Sequence, residues 1–140
     1  MQQIKRRGDG QPFRGIICED KKQEAMKLRQ ILESRGYEIL AIAENGRELM
    51  GLLTDEFKNK ADFVALDIIM PVLDGYAAFT EIREAKLPVR VIFVSVENSR
   101  AVMENVMQLG ASGYITKPLD RDIVLEKIDK ALSTPAPKWE

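Results

Sequence analysis

Phe63-Val64-Ala65-Leu66-Asp67 is a run of four apolar residues that ends on a carboxylate. A short run that is apolar at every position reads as a strand buried on both faces, as in the middle of a parallel sheet. An acid at the end of such a strand loses hydration and needs a compensating partner. The pattern repeats on either side: Gly15 to Cys18, Ile39 to Ile42, Val89 to Val94 and Gly113 to Ile115 are further short apolar runs, making five strands. Each is followed by a helical pattern. The helices are Lys22 to Arg35, with Ala25, Leu28 and Leu32 on one face, then Gly46 to Phe57, Gly75 to Ala85, Ser99 to Leu109, and Asp120 to Leu132 with Val124, Ile128 and Leu132 on one face. Gly36 is placed to close the first helix with a left-handed residue, Asn45 with Glu48 to cap the second, and Pro88 to end the third. Five β-α alternations imply an α/β fold, a parallel sheet with helices on both faces.

The 140 residues are enough for one ordinary domain, and 45% hydrophobic with 31% charged is the composition of a compact chain. Residues 14–132 are expected to form that domain. Met1 to Phe13, basic and carrying Gly8 and Gly10, reads as a flexible leader in which Lys5, Arg6 and Arg7 are solvated. Ser133 to Glu140, with Pro135 and Pro137, reads as a short extended tail, too short for an output domain. With 21 basic and 22 acidic residues, bulk electrostatics gives no affinity for nucleic acid, so no direct nucleic-acid partner is expected. No apolar run approaches the ~20 residues needed to span a bilayer, and the N-terminus is polar, so no membrane insertion and a cytoplasmic location are expected. Cys18 is the one cysteine and histidine is absent, which removes an internal disulfide, the commonest zinc ligand and the commonest general base. Carboxylates, hydroxyls and lysines are left for chemistry.

In open parallel sheets, ligands gather at the carboxyl ends of the strands. Glu19 and Asp20 directly follow the first run, Asp67 the third and Ser95 the fourth, and Lys117 lies just past the fifth. Taken alone, Glu19 and Asp20 fit equally a favourable charge near a helix N-terminus. Beside Asp67, however, three carboxylates at neighbouring strand ends repel one another unless they share a cation. An all-oxygen donor set suits a hard ion, and few carboxylates plus several waters suit Mg²⁺ better than Ca²⁺. Lys117 precedes Pro118, so a constrained turn sets its position, with a cis peptide as one form of that turn. A metal, an ammonium and a hydroxyl around one carboxylate are what a phosphoryl group arriving there requires. Asp67 is thus a candidate nucleophile forming an acyl phosphate, with Mg²⁺ and Lys117 neutralising charge and Ser95 donating a hydrogen bond.

These residues resemble the receiver domain of bacterial two-component response regulators, especially the single-domain chemotaxis regulator type. The matching pieces are Ile17-Cys18-Glu19-Asp20, Leu66-Asp67-Ile68-Ile69-Met70-Pro71-Val72-Leu73-Asp74-Gly75, Phe93-Val94-Ser95-Val96 and Gly110-Ala111-Ser112-Gly113-Tyr114-Ile115-Thr116-Lys117-Pro118. The likeness runs from Arg14 to Leu132. It implies a flavodoxin-like (βα)5 fold with strand order 2-1-3-4-5. It also implies that Asp67 accepts a phosphoryl group from a histidine kinase, and that Asp20, Asp67 and the backbone carbonyl of Ile69 bind Mg²⁺ with Glu19 acting through a water. Ser95 matches the hydroxyl residue that moves toward the phosphoryl group, Lys117 the phosphate-binding lysine, and Tyr114 the aromatic residue whose rotamer responds to that movement. The Lys117-Pro118 peptide matches one that is usually cis, and Met70-Pro71 with Asp74-Gly75 matches the loop after the phosphorylation site.

Glu19 stands where the first Asp is more usual, one methylene longer. Ile69 is apolar where many relatives are polar and is expected to shield the acyl phosphate from water, slowing its loss; Glu97 is the other rim position expected to tune that rate. The resemblance implies a protein that signals by binding a downstream partner through the fourth helix, fifth strand and fifth helix, as a monomer or a weak phosphorylation-dependent dimer. In the fourth helix, Met103 and Met107 lie beside the Val102, Val106 and Leu109 stripe and suit either core filling or an adaptable binding patch with Tyr114. A receiver catalyses only its own phosphoryl transfer and dephosphorylation. Two other readings stay open: a receiver segment of a larger transcriptional regulator, and a phosphohydrolase with an aspartyl nucleophile. Enzymes of the haloacid dehalogenase type usually carry a second acid two residues past the nucleophile, where this chain has Ile69.

Overall fold

In the computed structural model, which describes residues 7–139, five parallel strands form one sheet in the order β2-β1-β3-β4-β5. Met1 to Arg6, with Lys5 and Arg6 of the leader, and Glu140 lie outside the described residues. The strands are β1 (Arg14–Cys18), β2 (Glu38–Ala43), β3 (Phe63–Leu66), β4 (Arg90–Ser95) and β5 (Gly113–Thr116). β3 lies between β1 and β4, with Cys18 beside Leu66 and Leu66 beside Phe93. Its alternate residues feed two cores, which is why all four are apolar. Val64 and Leu66 join Phe93, Phe79, Ile82 and Val106 on one face, while Phe63 and Ala65 join Leu28, Leu32, Val124 and Ile128 on the other.

The first face is covered by α2 (Gly46–Gly51), α3 (Gly75–Glu84) and α4 (Arg100–Gln108), the second by α1 (Lys22–Ser34) and α5 (Arg121–Leu132). Gly36 closes α1 at φ 96°, and the Asn45 side chain accepts the Glu48 N–H at 2.8 Å to cap α2. Ser99 and Asp120 cap α4 and α5 in the same way.

Two helix readings need correction. The stretch Gly46 to Phe57 is not one uniform helix: after Gly51 it widens into a π-type segment, Leu52–Glu56. The Phe57 N–H donates to the Leu52 carbonyl at 2.8 Å, and both side chains pack on the core. The wider turn sets residues five apart on one side, which an α-helical pitch does not. α3 ends at Glu84, before Pro88. Lys86 turns to φ 55°, and the Leu87 N–H returns to the Ile82 carbonyl at 3.1 Å, so the chain is already closed when Pro88 arrives.

The chain flanking the sheet is tied to it. The Arg7 guanidinium lies 3.6 Å from Asp62, the Arg7 N–H donates to the Gln11 carbonyl at 2.7 Å, and the Phe13 ring sits under Arg90. Arg7 and Phe13 thus make defined contacts beside the sheet. After α5, the Thr134 carbonyl accepts two hydrogen bonds from Arg90, at 3.0 and 2.6 Å. Ser133 to Lys138 then runs without helix or strand to Trp139. The Trp139 indole N–H donates to the Leu87 carbonyl at 2.5 Å and the ring meets Phe79 edge-on, centroids 6.0 Å apart. Among the described residues no helix is long and apolar enough to cross a membrane.

Candidate functional site

The backbone ladder runs one residue past β1, β3 and β5 and so fixes the side chain that leaves each of these strand ends. The Asp67 N–H donates to the Cys18 carbonyl at 3.0 Å, the Glu19 N–H to Ala43 at 2.9 Å and the Lys117 N–H to Ser95 at 2.9 Å. Among the described residues the buried polar or charged ones are Glu19, Asp67 and Ser95, all at this rim. Carboxylate oxygens of Glu19, Asp20 and Asp67 lie within 4.8 Å of one another, with Asp20 exposed. The Lys117-Pro118 peptide is cis, and the Lys117 side chain, 5% exposed, enters the same pocket. Its ammonium contacts Asp67 Oδ2 at 3.1 Å and Glu24 Oε1 at 2.9 Å and hydrogen-bonds Glu19.

The loop from β3 to α3 presses against Asp67. A Cβ on Gly75 would lie 2.0 Å from the Asp67 carbonyl oxygen, so only glycine lets α3 begin this close to the strand end. The Ile69 N–H donates to Asp67 Oδ1 at 3.2 Å while its side chain is 59% exposed, standing over the rim. Val72 in the same loop has φ 67°, a strained conformation for a β-branched residue.

Ser95 does not face Asp67 by hydrogen bond. Its hydroxyl accepts the Glu97 N–H at 3.2 Å, and the Tyr114 hydroxyl donates to the Glu97 carbonyl at 2.6 Å. Tyr114 is buried against Phe93, not lying out on the surface. The Glu97 carboxylate accepts the N–H of Ser99, the residue that caps α4. Ser95, Glu97, Tyr114 and the start of α4 are thus joined by consecutive contacts. Met103 packs on the core, whereas Met107 is exposed; both line a groove of about 480 Å³ with Tyr114, Lys127 and Lys130.

Burial pushes the Glu19 carboxyl up to about 7, against the hydrogen bond from Lys117 that pulls it down. Burial alone would lower Lys117, but hydrogen bonds to Glu19, Glu24 and Asp67 hold it above the ordinary lysine value, so it stays charged. Burial and the nearby Glu97 push the Tyr114 hydroxyl up to about 12. Burial raises the Cys18 thiol far above its usual value, leaving it an inert core residue. The pocket therefore holds more carboxylates than its one ammonium neutralises, and all of them are hard oxygen donors. That donor set fits a divalent ion such as Mg²⁺. Sequence reasoning passed over Glu24, which sits in the first turn of α1, not at a strand end. No local signal marks it, since Asp20 precedes the helix and the two share no helical face.

The chain is 34% identical over 119 residues to the chemotaxis protein CheY of Bacillus subtilis, covering 84% of this chain and 96% of that one. It is 33% identical to CheY of Treponema pallidum, covering 89% and 85%. It also matches the transcriptional regulatory protein RprY of Bacteroides fragilis at 28% identity, covering 86% of this chain but 49% of RprY. Among solved structures, the CheX-CheY complex with BeF3 and Mg²⁺ from Borrelia burgdorferi superposes with a TM-score of 0.81 at 32% identity, covering 86% of this chain and 89% of that one. Residues 16–129 match the response regulator receiver domain, a span that takes in the acidic cluster, Ser95 and Lys117. The chain belongs to the response regulator receiver domain family.

Proposed function

We propose that Asp67 accepts a phosphoryl group from a phosphohistidine of a kinase in a Mg²⁺-dependent reaction, and that the protein signals by changing its α4-β5-α5 surface. The observation that carries this reading is the Lys117 ammonium, 3.1 Å from Asp67 Oδ2 inside a cluster of three carboxylates. In the transfer, an Asp67 oxygen forms a bond to phosphorus as the P–N bond breaks, and its electron pair leaves with the kinase imidazole. Lys117 neutralises charge on the phosphoryl oxygens, and the Ser95 hydroxyl turns from the Glu97 N–H to donate to one of them. Asp20, Asp67 and the Ile69 carbonyl would hold Mg²⁺, with Glu19 acting through a water, and the ion supplies further charge neutralisation when bound. Ile69 and Glu97, two residues past Asp67 and Ser95 in sequence, tune how readily water reaches the acyl phosphate.

When Ser95 releases Glu97, the contacts from Glu97 to Tyr114 and to the cap of α4 change with it. The groove lined by Met103, Met107 and Tyr114 is then the surface offered to a downstream protein. The match over 96% of the length of the B. subtilis CheY supports a regulator of the chemotaxis type. The match to half of RprY supports a second reading, a receiver segment of a larger transcriptional regulator. Incubation with a small phosphodonor and Mg²⁺, with intact mass as the readout, tests the reading. Wild type is expected to gain one phosphoryl group and Asp67→Asn none; an unmodified wild type overturns it.

A further inference from the structure

The Lys117 ammonium has three protons to donate and three carboxylates around it: Glu19, Asp67 and Glu24. Every donor is already engaged, so a phosphoryl oxygen can gain Lys117 only by displacing one of them. Glu19 and Asp67 are members of the acidic cluster that fits a divalent ion, and a bound cation offsets their charge. Glu24 is not a member. It reaches in from the first turn of α1, 34% exposed, with Lys21 3.6 Å away on its outer side. Its negative charge stays against Lys117 when the other two carboxylates are neutralised, and it faces the place where a phosphoryl oxygen must sit to use that ammonium.

We infer that Glu24 competes with the phosphoryl group for Lys117, and so sets how firmly the phosphorylated form of Asp67 is held. Glu24 acts through Lys117 and is a positioning residue; the inference rests on the phosphoacceptor reading of Asp67. A carboxylate one hydrogen bond from the ammonium opposes an arriving dianion by like-charge repulsion as well as by occupying a donor. Glutamine at this position keeps the shape and loses the charge. Aspartate keeps the charge on a stem one methylene shorter.

The test is calorimetric titration with trifluoroberyllate, a phosphoryl mimic, at saturating Mg²⁺, with Mg²⁺ affinity and melting temperature measured in parallel. Glu24→Gln is expected to bind the mimic about tenfold more tightly than wild type, the effect of removing one partly screened charge at this distance. Glu24→Asp should fall between the two, and Mg²⁺ affinity should move much less than affinity for the mimic. A purely structural role would shift the melting temperature alone. If wild type binds the mimic in an Asp67-dependent way and folded Glu24→Gln binds it equally or more weakly, the competition is overturned while the phosphoacceptor reading stands. If wild type and Asp67→Asn both fail to bind it, the phosphoacceptor reading fails and the inference falls with it.

Discussion

Glu19 and Lys117 share a hydrogen bond but differ in what pH does to them. The Glu19 carboxyl moves from 4.5 to about 7 on folding without metal, because burial disfavours its charge. A folded value above the unfolded one gives stabilisation that is complete below 4.5 and is lost as pH rises through about 7. Lys117, held above its ordinary value, stays protonated throughout that window and adds no slope. The metal-free protein is therefore expected to lose on the order of 2 kcal/mol of stability between about pH 5 and about pH 8, with Glu19→Gln flattening the profile. Urea unfolding in chelator across that range measures it, and a wild-type profile parallel to the variant's would refute it. At this scale the rule that reactive groups gather at strand ends locates Glu19, Asp20, Asp67 and Lys117, because the ladder that fixes them is set by the apolar runs. Glu24 escapes that rule. Its approach to Lys117 depends on how α1 is rotated about its axis, which the spacing of Ala25, Leu28 and Leu32 constrains only to a face.

The joint between β3 and α3 illustrates what an element costs to place. Gly75 lets the first turn of α3 rest against the Asp67 carbonyl, and the Gly75 N–H donates to the Ile68 carbonyl at 2.8 Å. Gly75→Ala drives a methyl into backbone that has no side chain to swing aside, and a loss of about 2–4 kcal/mol is expected. Gly51, inside α2 with nothing within 4 Å of a Cβ, is the control: Gly51→Ala should be neutral or stabilising by up to about 1 kcal/mol. Equal denaturation midpoints for the two variants would overturn this expectation. All five strands lie within a residue or so of where their apolar runs place them, since burial of both sheet faces sets those runs. Helix pitch is less legible. Apolar spacing reports which residues face the core, not whether the backbone between them winds as α or π, and so the change at Leu52 is invisible in the pattern.

Across the whole molecule, the least legible contact is the one made by the tail. Pro135 and Pro137 correctly exclude a helix after α5, but nothing local shows that Trp139 returns to Phe79, Leu87 and Gly110. A Cβ on Gly110 would lie 2.5 Å from the indole, so the end of α4 and the tail are shaped to each other. Trp139→Ala should cost about 1–3 kcal/mol through lost aromatic burial and one lost hydrogen bond, and thermal unfolding would measure it. An unchanged melting temperature would mean that the tail does not brace the sheet.

Trp139 is also the only tryptophan in the sequence, and it lies at the base of β4 and β5 while Asp67 lies at the opposite end of the sheet. Its emission is therefore a local spectroscopic gauge of the α3–α4 base. An ion entering the acidic pocket has no direct route to quench it. A change in its colour or intensity on phosphorylation would register movement that reaches this base, separating occupancy of the pocket from transmission of the signal with one native chromophore.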